Sequence, residues 1–148
     1  MFDKFNQHWR DHLDQGIITK EEYINTTFAQ HYRTVEEFCA PFNDKMSEVS
    51  KAGLKLLSCS TKLTKCPYRE TYEKNIRSMS KKDFADSLIP TTRSWSETVF
   101  RTALDKRDEH ESDEIINSFY ENYRAEVERD PDGHAMDYIH VIMEIEKI

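Results

Sequence analysis

Glycine is nearly absent from this chain: three residues in 148, at Gly16, Gly53 and Gly133. Loops that cradle phosphates or nucleotides need glycine so that the backbone can approach the ligand, and neither a Gly-x-Gly-x-x-Gly nor a Walker loop is present. Cysteine is sparse too. Cys39, Cys59 and Cys66 are odd in number and form neither a Cys-x-x-Cys pair nor a zinc spacing, so reduced thiols are the simplest reading. On one strand, Cys59 and Cys66 would stand roughly 23 Å apart at about 3.3 Å per residue, which excludes a disulfide between them. Basic charge is in deficit, 21 Lys and Arg against 28 Asp and Glu, a net charge of −7. That balance disfavours a polyanionic partner, so nucleic acid is not expected and a helical nucleic-acid adaptor is the weakest reading. No apolar run reaches about 18 residues, and Met1-Phe-Asp-Lys-Phe-Asn lacks the apolar segment of a signal peptide. The expectation is a cytoplasmic protein with no membrane partner.

What is present is aromatic. Eight Phe, seven Tyr and two Trp give a chain that is only 37% hydrophobic and 33% charged the large apolar surfaces that a core requires. One domain is expected, burying roughly 70% of its unfolded surface.

Helical signals dominate the chain. Phe5, Trp9 and Leu13 recur at intervals of four over residues 4–14 and stop at Gly16. Thr19-Lys-Glu-Glu22 and Thr34-Val-Glu-Glu37 both have the Thr-x-x-Glu form of a capping box, predicting helices over 20–25 and from Val35, the latter kinked or broken at Pro41. After Gly53 the composition shifts, and residues 54–63 read as a strand ending before Pro67. A helical region over 81–106, bent at Pro90, places Phe84, Leu88, Trp95, Val99 and Ala103 on one broad side. A charged link over 106–114 leads to the plainest helix, 115–127, with Ile116, Phe119, Tyr120, Tyr123 and Val127 at spacings of three and four. Beyond the Asp130-Pro-Asp-Gly133 turn, residues 136–146 alternate as a terminal strand, half or more buried. The fold class is α+β and mainly helical. Two strands alone rarely make a stable sheet, so they either pair beneath the helices or belong to a larger sheet.

The polar clusters read as structural. His8 and His12 stand four apart on a helix but lack further ligands, so they read as surface histidines. The acids of Asp108-Glu-His-Glu-Ser-Asp-Glu114 suit a solvated link whose last members favour the next helix's N-terminus. Ser94, Ser96, His134 and His140 have no nucleophile-elbow context for a hydrolase.

Several segments in order resemble a known family: Leu13-Asp-Gln-Gly-Ile-Ile-Thr-Lys-Glu-Glu-Tyr23, Gln30-His-Tyr-Arg-Thr-Val-Glu-Glu-Phe38, Arg93-Ser-Trp-Ser-Glu97, the Phe-Tyr helix and the closing Tyr138-Ile-His-Val. Together they resemble the C-terminal part of SABATH-type methyltransferases, which transfer a methyl group from S-adenosylmethionine to the carboxylate of a small acid. The resemblance covers nearly all of the chain but about the last two-fifths of a typical family member. It implies an incomplete fold in residues 1–148. Cap helices over 4–25 and 80–128 would surround the two C-terminal edge strands, 54–63 and 136–146, of a Rossmann-like sheet. It also implies that Tyr32, Thr92, Trp95 and Tyr138 line the acceptor pocket; plant members often carry Met and a small aliphatic residue in place of Thr92 and Trp95, so the acceptor acid stays open. The family's glycine-rich motif, its ribose-binding acid, and the Gln and His-Trp pair that orient the acceptor belong upstream of Met1. The chain alone is therefore expected to hold no S-adenosylmethionine and no catalytic residue, and to work with a missing N-terminal half. The competing reading is a free-standing α+β binding or dimerisation module whose sheet edges recruit a second copy. For Trp95, periodicity favours core and the resemblance favours a pocket wall.

Overall fold

The computed structural model describes residues 1–148 as an α+β chain, mainly helical, with one two-stranded antiparallel sheet. The chain divides into two compact units: a helical unit of residues 1–28 and 66–136, and a ribbon unit of residues 29–65 and 137–148.

The helical unit begins with α1 (Phe2–Asp14), and α2 (Lys20–Asn25) follows after Gly16 turns the chain at φ +71°. The capping box expected at α2 is formed: the Glu22 amide donates to Thr19 Oγ1 at 3.2 Å and the Thr19 amide to Glu22 Oε2 at 2.6 Å. Glu22 is used twice, because Arg107 also grips it, Nε to Oε1 at 2.6 Å and Nη2 to Oε2 at 2.8 Å. That guanidinium holds the Glu22 carboxyl down at about 2.

A helix not expected from the sequence, α5 (Pro67–Lys74) in the ribbon unit's chain order after two further helices, belongs to this unit; its proline stands at the first helical position, where a missing N–H costs nothing. α6 (Lys81–Ala103) forms the expected single helical region, continuous through Pro90. Its buried side differs from the expected one. It runs through Leu88, Thr92, Ser96 and Phe100, while Trp95 and Val99 lie half-buried at its margin. Small hydroxyl residues could occupy the centre because each satisfies itself locally: Thr92 Oγ1 donates to Leu88 O at 2.9 Å, and Ser96 Oγ donates to Thr92 O at 2.7 Å.

α7 (Glu109–Arg129) starts well before the expected residue 115, because Asp108 caps it by accepting from the Glu111 amide at 2.8 Å. Most of the charged link is thus the first turns of this helix. α7 packs on α6 and α1, and the core between them is aromatic: Phe100 and Phe119 have ring centroids 4.3 Å apart, Trp9 and Phe100 4.8 Å, Phe5 and Tyr123 5.2 Å.

The ribbon unit contains α3 (Val35–Asn43), α4 (Glu48–Lys51), β1 (Leu54–Thr64) and β2 (Tyr138–Lys147). The capping box of α3 is formed as expected. The helix runs two residues past Pro41 before ending, since a proline in the last turn forfeits only one internal hydrogen bond. α4, capped by Ser47, had no sequence signal strong enough to announce it. β1 and β2 pair from Leu54↔Lys147 to Thr64↔Tyr138, with a bulge that leaves Leu57 without an opposite residue. Leu56, Cys59, Thr61 and Leu63 share a face with Ile139, Val141, Met143 and Ile145. β2 was expected to be half or more buried and is largely exposed: only Val141 and Met143 are partly covered, and Ile139 is 75% exposed. The sheet has just two strands, and α3 and α4 are the helices that pack on β1.

Candidate functional site

The residues that the family resemblance assigns to an acceptor pocket fall in both units. Thr92 and Trp95 belong to the helical unit, Tyr32 and Tyr138 to the ribbon unit. Thr92 is fully buried, its hydroxyl turned back on Leu88 O and 3.6 Å from Met136 Sδ. Tyr32 is 75% exposed and its hydroxyl meets Gln30. Tyr138 opens β2 opposite Thr64, half exposed, its ring stacked on His140.

Trp95 lies half-buried in an aromatic nest. Its ring lies against Phe5 at 5.9 Å, Phe2 at 5.8 Å and Phe28 at 6.3 Å between centroids. Its indole N–H is buried without a hydrogen-bond partner, whereas the Trp9 indole donates to Thr26 Oγ1 at 2.8 Å. The same aromatic nest contains a recess of about 60 Å³ lined by Phe2, Phe5, Trp9, Tyr23, Phe28 and Phe100, together with Asn6 and Thr26. A recess of that size admits a methyl-sized group rather than a whole ring, because small-molecule pockets run to roughly 300–1,000 Å³. Phe2, 37% exposed, forms its rim. Trp95 itself does not line the recess, and its N–H is a buried donor beside it.

A polar cluster lies in the same unit beneath α1. Glu126 Oε1 accepts from Lys4 Nζ at 2.5 Å and Glu126 Oε2 is 2.6 Å from His8 Nε2; His134 Nε2 is 3.9 Å from Oε1 and its Nδ1 is 3.3 Å from the Tyr123 hydroxyl. Burial pushes the Glu126 carboxyl up, but the Lys4 and His8 contacts outweigh it and hold the group below the usual carboxylate range. Burial pulls both His12 and His134 below the ordinary imidazole range and pushes the Tyr123 phenol up. The surface role expected of His8 and His12 is corrected by this packing. His12 is fully buried, its Nδ1 2.9 Å from His8 O and its ring stacked on Trp9. A signal for this cluster was available: Glu126 stands seven residues after Phe119 on the buried stripe of α7, where a carboxylate requires partners. Phe28 carried no such signal, because it lies in an irregular segment without periodicity.

The strand-to-helix junction after β1 is Lys65-Cys66-Pro67, and none of the three glycines stands at such a junction. No group of three or more His, Cys, Asp or Glu side chains is arranged to hold a metal ion. No helix is long and apolar enough to cross a membrane.

Fold and site together define a mainly helical α+β chain with an aromatic helical unit and a two-stranded ribbon unit. No protein-family model matches the chain, and no curated protein matches it.

Proposed function

We propose that this chain supplies the acceptor side of a SABATH-type carboxyl methyltransferase: a helical cap over a small carboxylic acid, and the last two strands of a Rossmann-like sheet. The observation that carries the reading is the ribbon. β1 and β2 pair antiparallel across the whole helical insertion, and their shared face leaves Leu63, Ile139 and Ile145 about half or more exposed. A two-stranded ribbon is at best marginal alone, and one whose free strand edges and apolar ends are left exposed suits addition to a larger sheet.

In this reading Trp95 contributes from the helical unit, and its unpaired N–H meets an acceptor oxygen. The methyl donor is held by other residues, so no step of the transfer is assigned to this chain. Its own contribution is to shape the site and exclude water around a carboxylate already ionised at neutral pH.

The test is an NMR titration with small aromatic and aliphatic carboxylic acids, following the Trp95 and Trp9 indole N–H signals. A saturable shift confined to Trp95 and its neighbours, lost in Trp95→Phe, is expected; no shift with any acid rejects the cap role. Calorimetry with S-adenosylmethionine is expected to show no micromolar binding.

A second reading, a dimerisation module, is favoured by the exposure of Ile139, Ile142 and Ile145 along one strand. Light scattering separates the two: a concentration-independent dimer that dissociates on Ile142→Lys supports the module.

A further inference from the structure

The three cysteines are not equivalent. Cys66 is fully buried in the helical unit, while Cys39 and Cys59 are both half-buried in the ribbon unit. Cys39 belongs to the partly buried stripe of α3, with Val35, Phe38 and Phe42 at helical spacing. Cys59 is a partly buried member of β1, on the sheet face it shares with Val141 and Met143, the covered residues of β2. α3 packs on β1, and the two side chains meet there, thiol against thiol. That hydrogen-bonding contact with Cys59, more than burial, holds the Cys39 thiol above its ordinary range. Cys39 also lines an open groove of about 520 Å³ along α3, with Val35, Glu36, Ala40, Asn43 and Asp44. A small reagent therefore has a route to it.

We infer that Cys39 and Cys59 form a reversible disulfide that staples α3 to β1, made by exchange with a small-molecule disulfide. The Cys39 thiolate attacks one sulfur of the reagent, forming a mixed disulfide and releasing one reagent thiolate. The Cys59 thiolate then attacks the Cys39 sulfur, forming the internal bond and releasing the second. Two protein thiols are oxidised, one reagent disulfide is reduced to two thiols, and the two protons leave with them. The second step is favoured because the fold already holds the two sulfurs together, so the attack is intramolecular. The pair is legible only in three dimensions. Twenty residues separate the cysteines in the sequence, and they lie on different kinds of element.

The native chain, reduced and freed of reductant, is incubated with oxidised glutathione, quenched with acid and measured by intact mass and tryptic mapping. The expected product has lost two hydrogens, carries no glutathione, joins peptide Thr34–Lys45 to peptide Leu56–Lys62, and reverts with dithiothreitol. Cys39→Ser and Cys59→Ser should instead stop at a persistent glutathione adduct on the remaining cysteine. In urea the same linkage should form more slowly than in the native chain. Persistent glutathione adducts on the native chain, no modification, a linkage involving Cys66, or an equal rate in urea would each overturn the inference.

Discussion

The two tryptophans offer a direct measurement of what an unpaired donor costs in this core. Trp9 and Trp95 both belong to the aromatic core of the helical unit, but the Trp9 indole donates to Thr26 Oγ1 at 2.8 Å and the Trp95 N–H is buried without a partner. A buried unsatisfied donor costs about 1–3 kcal/mol. Trp95→Phe removes that penalty and sacrifices part of a half-buried ring, worth at most about 1 kcal/mol at ~25 cal/mol/Å². The variant should be between neutral and about 2 kcal/mol more stable than the native chain. Trp9→Phe does the reverse. It breaks a made hydrogen bond, about 1 kcal/mol, and shrinks a side chain that is 2% exposed, about 1 kcal/mol more. It should cost about 2 kcal/mol. The assay is urea denaturation followed by far-ultraviolet circular dichroism, since fluorescence changes with either substitution, and the two slopes should stay equal. Equal losses in both variants would refute the reasoning, and so would a loss above about 2 kcal/mol in Trp95→Phe. An acceptor that pairs with Trp95 would also raise the stability of the native chain and leave Trp95→Phe unmoved.

Other consequences follow from charge and backbone. Glu22, held at about 2 by Arg107, gives stability that is fully present above its unfolded value near 4.5 and lost as pH falls toward 2. Its side chain is 13% exposed. Glu22→Gln should therefore cost about 1–2 kcal/mol at pH 7, after allowance for solvent screening, and nothing near pH 2. Buried His12 and His134 act over a higher range. Their folded values are depressed below about 6.5, so stability is present above that pH and declines below it as the unfolded chain takes up protons first. Thermal midpoints should fall between pH 7 and 5.5, less steeply in His134→Asn. Gly53 has φ +69° and a Cβ there would stand 2.9 Å from Ile148 O, whereas Gly16 has φ +71° and open space around it. Gly16→Ala should cost about 1 kcal/mol from backbone strain alone, and Gly53→Ala distinctly more by the same denaturation assay.

What the sequence made legible was periodicity and capping. The Phe119–Tyr123 stripe and the two Thr-x-x-Glu boxes depend on neighbours within four residues, and the structure forms all three. Pro90 was legible as a residue inside one helical region, and α6 continues through it with Leu88, Ile89 and Phe100 buried in the core on both sides. β2 alternated as a buried strand does, but alternation reports which residues share a face and not whether anything covers it. The aromatic nest was hardest to foresee. Phe2 and Phe28 join Trp95 from opposite ends of the first segment, and no spacing rule connects them.

The pairing of Thr64 with Tyr138 has a consequence for how the chain is made. Residues 66–136 lie between the two paired strands in the sequence, so in chain order this part of the helical unit serves as a very large hairpin loop. During synthesis β1 emerges before its partner and waits, with Leu56, Leu57 and Leu63 unpaired, until residues 66–136 and then β2 have followed. Non-local pairing of this kind is slow because the intervening chain must be closed first, and intervening residues that fold early shorten the loop that must be closed. Lys55 and Lys62, placed along the waiting strand, carry like charges that oppose its pairing with another copy. Substitutions that slow folding of the helical core should therefore appear first as aggregation through β1, before any loss of equilibrium stability is measurable.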